Sequence, residues 1–325
     1  MYTQRAATTL RSKRLLLIPA LCASAVLLCA GAAMRPAVSA PPQATAPALP
    51  EQNPSTVRLF ATVVDDKGNI PLELQRESFR LFEDNTEQKL TVFGRENDPV
   101  SIGIILDLSG SMEHWLDGSR AAIEQSLKAA DPRDEFFLVT LKDRAQLEVP
   151  FTSNRQEIIQ RMIPMTSKGP TALLDAIYLG LSEMHQARYQ RKVLLLITDG
   201  GDNRSRYSDD EVGKFARESD VQVYALMPHP PGAGRATPEE AAGPDLLRKF
   251  CDVSGGHLFA VGSPQGLVEN AAGLALLLRS QYVLGYEPTN RARDGKWRKI
   301  KLRLQRPKGS PYLNVYAKTG YYAPQ

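Results

Sequence analysis

Between Val100 and about Ser280 the chain alternates short, almost wholly apolar runs with longer stretches in which apolar residues recur every three or four positions. The apolar runs Ile102–Leu106, Phe136–Leu141, Val193–Thr198 and Val221–Leu226 are too short for ordinary helices. Being apolar at successive positions, they suit strands buried on both faces. The intervening stretches predict helices at Arg120–Ala130, Asn154–Met162, Ala172–Ala187, Asp209–Glu218, Asp245–Val253 and Gly266–Leu278, with Ser208 and Glu211 at the spacing of a capping box. Strand and helix in alternation imply a parallel sheet with crossover helices. The expected fold class is therefore α/β, a doubly wound, mostly parallel, Rossmann-like central sheet flanked by helices.

On either side of this region the period falls to two. Val57–Val64, Phe79–Glu83 and Lys89–Phe93 predict strands before it, with turn chemistry at Asp65-Asp66-Lys67-Gly68-Asn69. Gln281–Tyr286, Arg298–Leu304 and Leu313–Ala317 predict strands after it, with Asp294-Gly295 as a hairpin turn signal. Residues 41–98 carry six basic and ten acidic side chains, whereas residues 281–325 carry ten basic and two acidic. This complementarity, although each surface pair contributes little, agrees with the two segments, 56–98 and 281–325, packing together as a smaller β-sandwich-like domain into which residues 99–280 are inserted. In the last segment Ile300, Leu302 and Leu304 share one strand face, and Lys299, Lys301 and Arg303 the other, which reads as a solvated outer face.

A chain of 325 residues has room for this two-part organisation. Its first forty residues read as a signal peptide: Arg5, Arg11, Lys13 and Arg14, an apolar run from Leu15 to Ala33, then Arg35 and the small-residue exit Val38-Ser39-Ala40. Retention of that run as a membrane anchor is the alternative, with Pro19 interrupting it. Pro- and Ala-rich residues 41–55 read as a flexible linker. Losing residues 1–40 takes the formal charge from +4 to −1, which removes any global attraction to nucleic acid. The expected address is exported: periplasmic, cell-surface or extracellular. Only Cys251 of the three cysteines lies beyond the leader, within the apolar stretch Leu246–Val253, where it reads as a small buried hydrophobe. The four histidines, at 114, 185, 229 and 257, lack zinc-ligand spacing.

The chemistry gathers at strand ends. Asp107-Leu108-Ser109-Gly110-Ser111 follows the first apolar strand, at the carboxyl edge where doubly wound sheets bind ligands. A carboxylate and two hydroxyls at alternate positions aim three hard oxygens at one point, which suits Mg²⁺ or Mn²⁺. Thr171, in Gly169-Pro170-Thr171-Ala172-Leu173, reads equally as a helix cap, and Asp199, in Thr198-Asp199-Gly200, as a turn residue. All three groups nevertheless fall at one edge of the same sheet.

The Asp-x-Ser-x-Ser, the later Gly-x-Thr-Ala-Leu and the apolar strand ending Thr-Asp-Gly together resemble a von Willebrand factor type A domain over roughly residues 99–280. The flanking β segments more loosely resemble those of bacterial secreted von Willebrand type A-related proteins. The resemblance implies a metal-ion-dependent adhesion site in which Asp107, Ser109, Ser111, Thr171 and Asp199 hold a divalent cation, Mg²⁺ first and Mn²⁺ or Ca²⁺ otherwise. It further implies that the cation keeps an open position for a carboxylate of a protein partner. Around the site, Arg204, Arg206 and Tyr207 are candidate rim residues that would add hydrogen bonds to an acidic ligand, and the loop Met227–Gly243 is expected to rim the metal as well.

The expected function is thus an exported, metal-dependent binding or adhesion module with an acidic protein partner, no nucleic-acid partner, and a membrane only if the leader is retained. The alternatives are a scaffold with a purely structural metal and a metal-dependent hydrolase. Catalysis is not expected, because no Gly-rich phosphate loop or Gly-x-Ser-x-Gly nucleophile elbow is present and no general base stands beside Asp107 in the sequence.

Overall fold

A computed structural model of the chain describes residues 56–66, 68–71, 74–95, 97–229, 237–305 and 312–325. The leader and linker of the sequence reading, residues 1–55, lie outside the described residues. In chain order, the leading strands are β1 (Val57–Asp65), β2 (Phe79–Glu83), β3 (Thr86–Gln88) and β4 (Leu90–Arg95). The middle of the chain runs β5 (Val100–Asp107), α1 (Leu116–Ala129), β6 (Glu135–Leu141), β7 (Ala145–Thr152), α2 (Arg155–Met162) and α3 (Leu173–Glu183). It continues through β8 (Arg191–Ile197), α4 (Asp209–Glu218), β9 (Val221–Pro228), α5 (Pro238–Ser254), β10 (Leu258–Val261) and α6 (Pro264–Ser280). Strands β11 (Tyr282–Tyr286), β12 (Trp297–Leu304), β13 (Leu313–Tyr316) and β14 (Gly320–Tyr322) close the chain.

The apolar runs form the middle of a six-stranded sheet of order β10-β9-β8-β5-β6-β7, in which only β7 runs antiparallel to its neighbour. Successive side chains of a strand point to opposite faces, so both faces need cover. Ile102, Ile104 and Leu106 of β5 pack with Ile123 and Leu127 of α1 and Leu274 of α6 on one side. Ile105 packs with Ile177 of α3, Val212 of α4 and Phe250 of α5 on the other. This two-sided burial is why the strands read as nearly continuous apolar runs.

Strands from before and after this unit interleave in two further sheets, β13-β1-β11-β4 and β14-β12-β2-β3. Leu59, Leu81, Leu284 and Ile300 share their core. Buried Glu83 accepts hydrogen bonds from the hydroxyls of Tyr286 at 2.7 Å and Tyr321 at 2.9 Å, which ties β2 to both ends of the trailing segment. Where α6 hands over to β11, the amide nitrogen of Gln281 lies 3.0 Å from each of Thr62 Oγ1, Gln222 Oε1 and the Tyr224 hydroxyl, and its oxygen accepts from Arg191. Burial pushes the Tyr224 phenol up to about 12. A polar network fully sealed from water is costly to break because each orphaned group loses its partner.

Several boundaries differ from the sequence reading for identifiable reasons. Helix α5 begins at Pro238, not Asp245: Thr237 accepts from the Glu240 amide and Glu240 returns a bond to the Thr237 amide, with Pro238 in the first turn. The predicted loop Met227–Gly243 is therefore strand at its start and helix from Pro238, and its residues 230–236 lie outside the described residues. Helix α1 begins at Leu116 rather than Arg120, behind a 3-10 turn over Gly110–Trp115. Strand β7 was missed because its side chains are only partly buried, as an antiparallel edge strand allows. Asp294-Gly295 does bend the chain, with Gly295 at φ +66°, but β11 and β12 on either side lie in different sheets and form no hairpin. The alternation of β12 is as expected, with Ile300 buried and Lys299, Lys301 and Arg303 exposed.

Candidate metal and partner site

Asp107 is the last residue of β5, and β8 runs beside it in parallel with Leu106 opposite Ile197. That register sets Asp107 against Thr198, whose hydroxyl donates to Asp107 Oδ2 at 2.6 Å. The Ser109 amide donates to Oδ1 at 2.8 Å. Both oxygens of a carboxylate with no exposed surface are thereby fixed in place. Burial, and then the negative charge of Asp199, push its pKa up to about 7, although the hydrogen bonds from Ser109 and Thr198 pull the other way. Two carboxylates held near each other in a desolvated place are what a cation would relieve.

The chain then turns into the 3-10 segment, which leaves the hydroxyls of Ser109 and Ser111 3.2 Å apart, the first buried and the second exposed. Backbone bonds sew the loops together. Lys168 N–H donates to Leu108 O at 2.8 Å and Gly110 N–H to Gly169 O at 3.0 Å. Asn203 and Arg204 N–H both donate to Thr171 O at 3.0 Å, and Thr171 N–H donates to Asn203 Oδ1. The three motif segments are thus brought to the carboxyl edge of one sheet.

The alternative roles separate at this level. Thr171 is not the cap of α3: its position is taken by Ala172, which makes no side-chain cap bond, and the free amides of Leu173 and Asp175 are met instead by Asp202 and Ser205. The Thr171 hydroxyl is thus left for another duty. Asp199 does close a local turn, its Oδ1 accepting from the Gly201 amide at 3.1 Å.

The rim residues divide. Arg206 donates from Nε to Oδ2 of Asp175 at 3.0 Å, and Asp175, only 4% exposed, also accepts from the Arg206 and Tyr207 amides. Tyr207 stacks on Tyr178 with ring centroids 3.9 Å apart. These two side chains therefore tie the loop to α3, although that of Arg206, like that of Arg204, is exposed. Thr198, Asp175, Asp202 and Asn203 are supporting residues that the sequence reading missed. Their positions beside Asp199 and one helical turn after Thr171 were the available signal, but no fixed spacing distinguishes such side chains from ordinary turn and cap residues.

Gly243 of α5 was missed too. It meets Gly200 back to back, and a Cβ on it would lie 2.8 Å from the Asp199 carbonyl oxygen. Gly200 itself sits at φ +87°. Gly243→Ala is expected to displace the Asp199 loop and weaken cation affinity about tenfold, the low end for loss of support behind a metal site. Titration calorimetry with Mg²⁺ checks this, and unchanged affinity would show that the loop absorbs the methyl group.

As a donor set, two carboxylates and three hydroxyls suit a hard, oxygen-preferring cation and not a soft one. Among the described residues, no three His, Cys, Asp or Glu side chains cluster as metal ligands, so a cation here depends on the hydroxyls. Cys251 is fully buried, its thiol pKa raised by desolvation, and takes no part.

Residues 102–201 match the family model of the von Willebrand factor type A domain. Among solved structures, the chain is similar to a von Willebrand factor type A protein from Catenulispora acidiphila (13% identity, 77% of this chain and 76% of that one, TM-score 0.49). It is also similar to conserved hypothetical protein BatB from Bacteroides thetaiotaomicron (19% identity, 55% and 98%, TM-score 0.44). A third is the vWF domain of the type V pili tip protein Mfa5 from Porphyromonas gingivalis (11% identity, 55% and 94%, TM-score 0.44). No curated protein matches the chain. The matched segment spans Asp107, Thr171 and Asp199, so this part of the chain is similar to a von Willebrand factor type A domain.

Proposed function

We propose that the protein is an exported binding module that captures an acidic group of a partner protein through a divalent cation, Mg²⁺ by preference, held by Asp107, Ser109, Ser111, Thr171 and Asp199. One observation supports this above the rest: Thr171, freed from capping α3 by Asp202 and Ser205, shares a hydrogen-bonded loop cluster with Asp107 and Ser109. Three of the five oxygen donors are neutral hydroxyls and such a shell keeps an open position, so a partner carboxylate gains by completing it. The protein's residues contribute by holding these oxygens preorganised; the metal supplies the attraction. Export rests on the basic, apolar and small-residue order of residues 1–40.

The test is capture from an exported fraction of the source cells by the full chain, with Mg²⁺ or with chelator, alongside Thr171→Ala. Partners retained with Mg²⁺ and lost in both other cases are expected. Capture indifferent to chelator and to Thr171→Ala would contradict the reading and favour a scaffold.

A further inference from the structure

The donor side chains come from three segments of the chain, and the segment after β8 ties the other two together. The Thr198 hydroxyl, which donates to Asp107 Oδ2 at 2.6 Å, accepts from the Gly200 amide at 3.0 Å, with Asp199 between them. Three residues beyond Gly200, Asn203 grips the backbone of Thr171 from both sides. Its Oδ1 accepts from the Thr171 amide at 3.0 Å, and its own amide donates to the Thr171 carbonyl at 3.0 Å. The amides of Leu173 and Asp175 are accepted by Asp202 Oδ1 at 2.9 Å and Ser205 Oγ at 3.1 Å, and Ser205 donates to Asp202 at 2.6 Å.

Side chains at 202, 203 and 205 thus meet every second amide from Thr171 to Asp175, and the start of α3 is held from outside the helix. Both ends of the gripping loop are fixed. Gly200, at φ +87°, packs against Gly243, and the amides of Arg206 and Tyr207 donate to Asp175 Oδ1. Asn203 itself is exposed. Its side chain therefore fills no core space, and what it does in the fold is to place Thr171.

Mg²⁺ demands a near-ideal octahedron of oxygens at about 2.0–2.1 Å, whereas Ca²⁺ accepts irregular shells at about 2.3–2.6 Å, so donor flexibility helps decide between them. Freedom at Thr171 costs the smaller ion more. We infer that Asn203 sets the cation preference of the site as a positioning residue: by fixing Thr171 relative to Asp199 and Asp107 it keeps the shell from opening to the longer bonds of Ca²⁺. This rests on the metal-dependent reading above and deepens it, naming what makes Mg²⁺ the preferred cation. Asn203 is not one of the five donors and acts through Thr171, as groups behind a metal ligand do.

The test is titration calorimetry of Mg²⁺ and of Ca²⁺ on the full chain, for the natural protein, Asn203→Ala, Asn203→Asp and Asp107→Asn. Asn203→Ala is expected to weaken Mg²⁺ binding about tenfold, the low end for loss of support behind a ligand. Ca²⁺, which tolerates a looser shell, is expected to lose about threefold at most, so the ratio of the two affinities moves toward Ca²⁺. Asn203→Asp keeps the acceptor oxygen, and its added charge attracts both divalent ions alike, so the natural ratio is expected to return. Any loss of folded protein lowers both affinities equally and leaves the ratio readable. Equal weakening of both cations by Asn203→Ala, no weakening of either, or a ratio that Asn203→Asp does not restore would overturn the inference and leave the metal site standing. Failure of the metal reading looks different and takes the inference with it: the natural protein binds neither cation at millimolar concentration, or Asp107→Asn binds both as the natural protein does.

Discussion

Without metal and at pH 8, Asp107→Asn is expected to be more stable than the natural protein, by about 3 kcal/mol. The Asp107 carboxyl has its pKa pushed up to about 7, chiefly by burial and then by Asp199. A folded-state pKa raised above the unfolded value near 3.8 contributes stability that is fully present below pH 3.8. That contribution is lost as pH rises through about 7. The loss is on the order of 4 kcal/mol at about 1.4 kcal/mol per pKa unit. Asn has no proton to lose and avoids it, less about 1 kcal/mol for the poorer fit of an amide to the Thr198 hydroxyl. Groups such as Asp131, held well below the ordinary carboxylate range by Arg133, act oppositely with pH but equally in both proteins. The difference between the two stability profiles, measured by denaturant unfolding in chelator from pH 4 to 8, therefore isolates Asp107. Parallel profiles would show that its carboxylate is not destabilised by its surroundings.

Gly255→Ala is expected to cost about 3 kcal/mol. Gly255 ends α5 in the left-handed region at φ +81°, and a Cβ there would also fall on the backbone of Ala317 and Lys318, 2.5 Å from the Ala317 carbonyl carbon. The conformational cost is about 1 kcal/mol, and a clash against backbone that cannot rotate away adds roughly 2 kcal/mol. Gly68→Ala is the internal control: φ is +82°, but nothing lies within 4 Å of the added carbon. Denaturant midpoints of the two variants separate the terms. Equal losses would mean that the trailing segment before β14 does not press on α5 as the coordinates place it.

The parts of this molecule that were legible in its sequence are those where one physical demand dominates. Strands β5, β6, β8 and β9 are buried on both faces, so their middles are almost wholly apolar, with Thr140 and Gln222 as exceptions, and hydrophobic pattern alone found them. Ser208 announced α4 because its capping box is local in sequence. The start of α5 was hidden because Pro, Gly and Ala read as loop, while Thr237 and Glu240, which settle it, are a single pair of side chains. At the site, Asp107, Ser109 and Ser111 were legible because the oxygens lie within five residues of one another. Their convergence with Thr171 depends on a few hydrogen bonds over long separations, such as Gly110 to Gly169 and Arg204 to Thr171, which leave no periodic trace. That Asp175 and Tyr178 hold Arg206 and Tyr207 was hidden for the same reason: nothing near them in sequence reveals it.

The most direct test is thermal unfolding of the full chain at pH 7.5 with millimolar Mg²⁺ and with chelator, set beside Asp107→Asn. A cation that binds only the folded state at about a hundred times its dissociation constant stabilises by about 2.7 kcal/mol. The natural protein is therefore expected to melt several degrees higher with Mg²⁺, and Asp107→Asn to ignore the cation. A natural protein whose midpoint is the same in Mg²⁺, Mn²⁺, Ca²⁺ and chelator, or an Asp107→Asn protein that shifts as far as the natural one, would contradict a cation at this site.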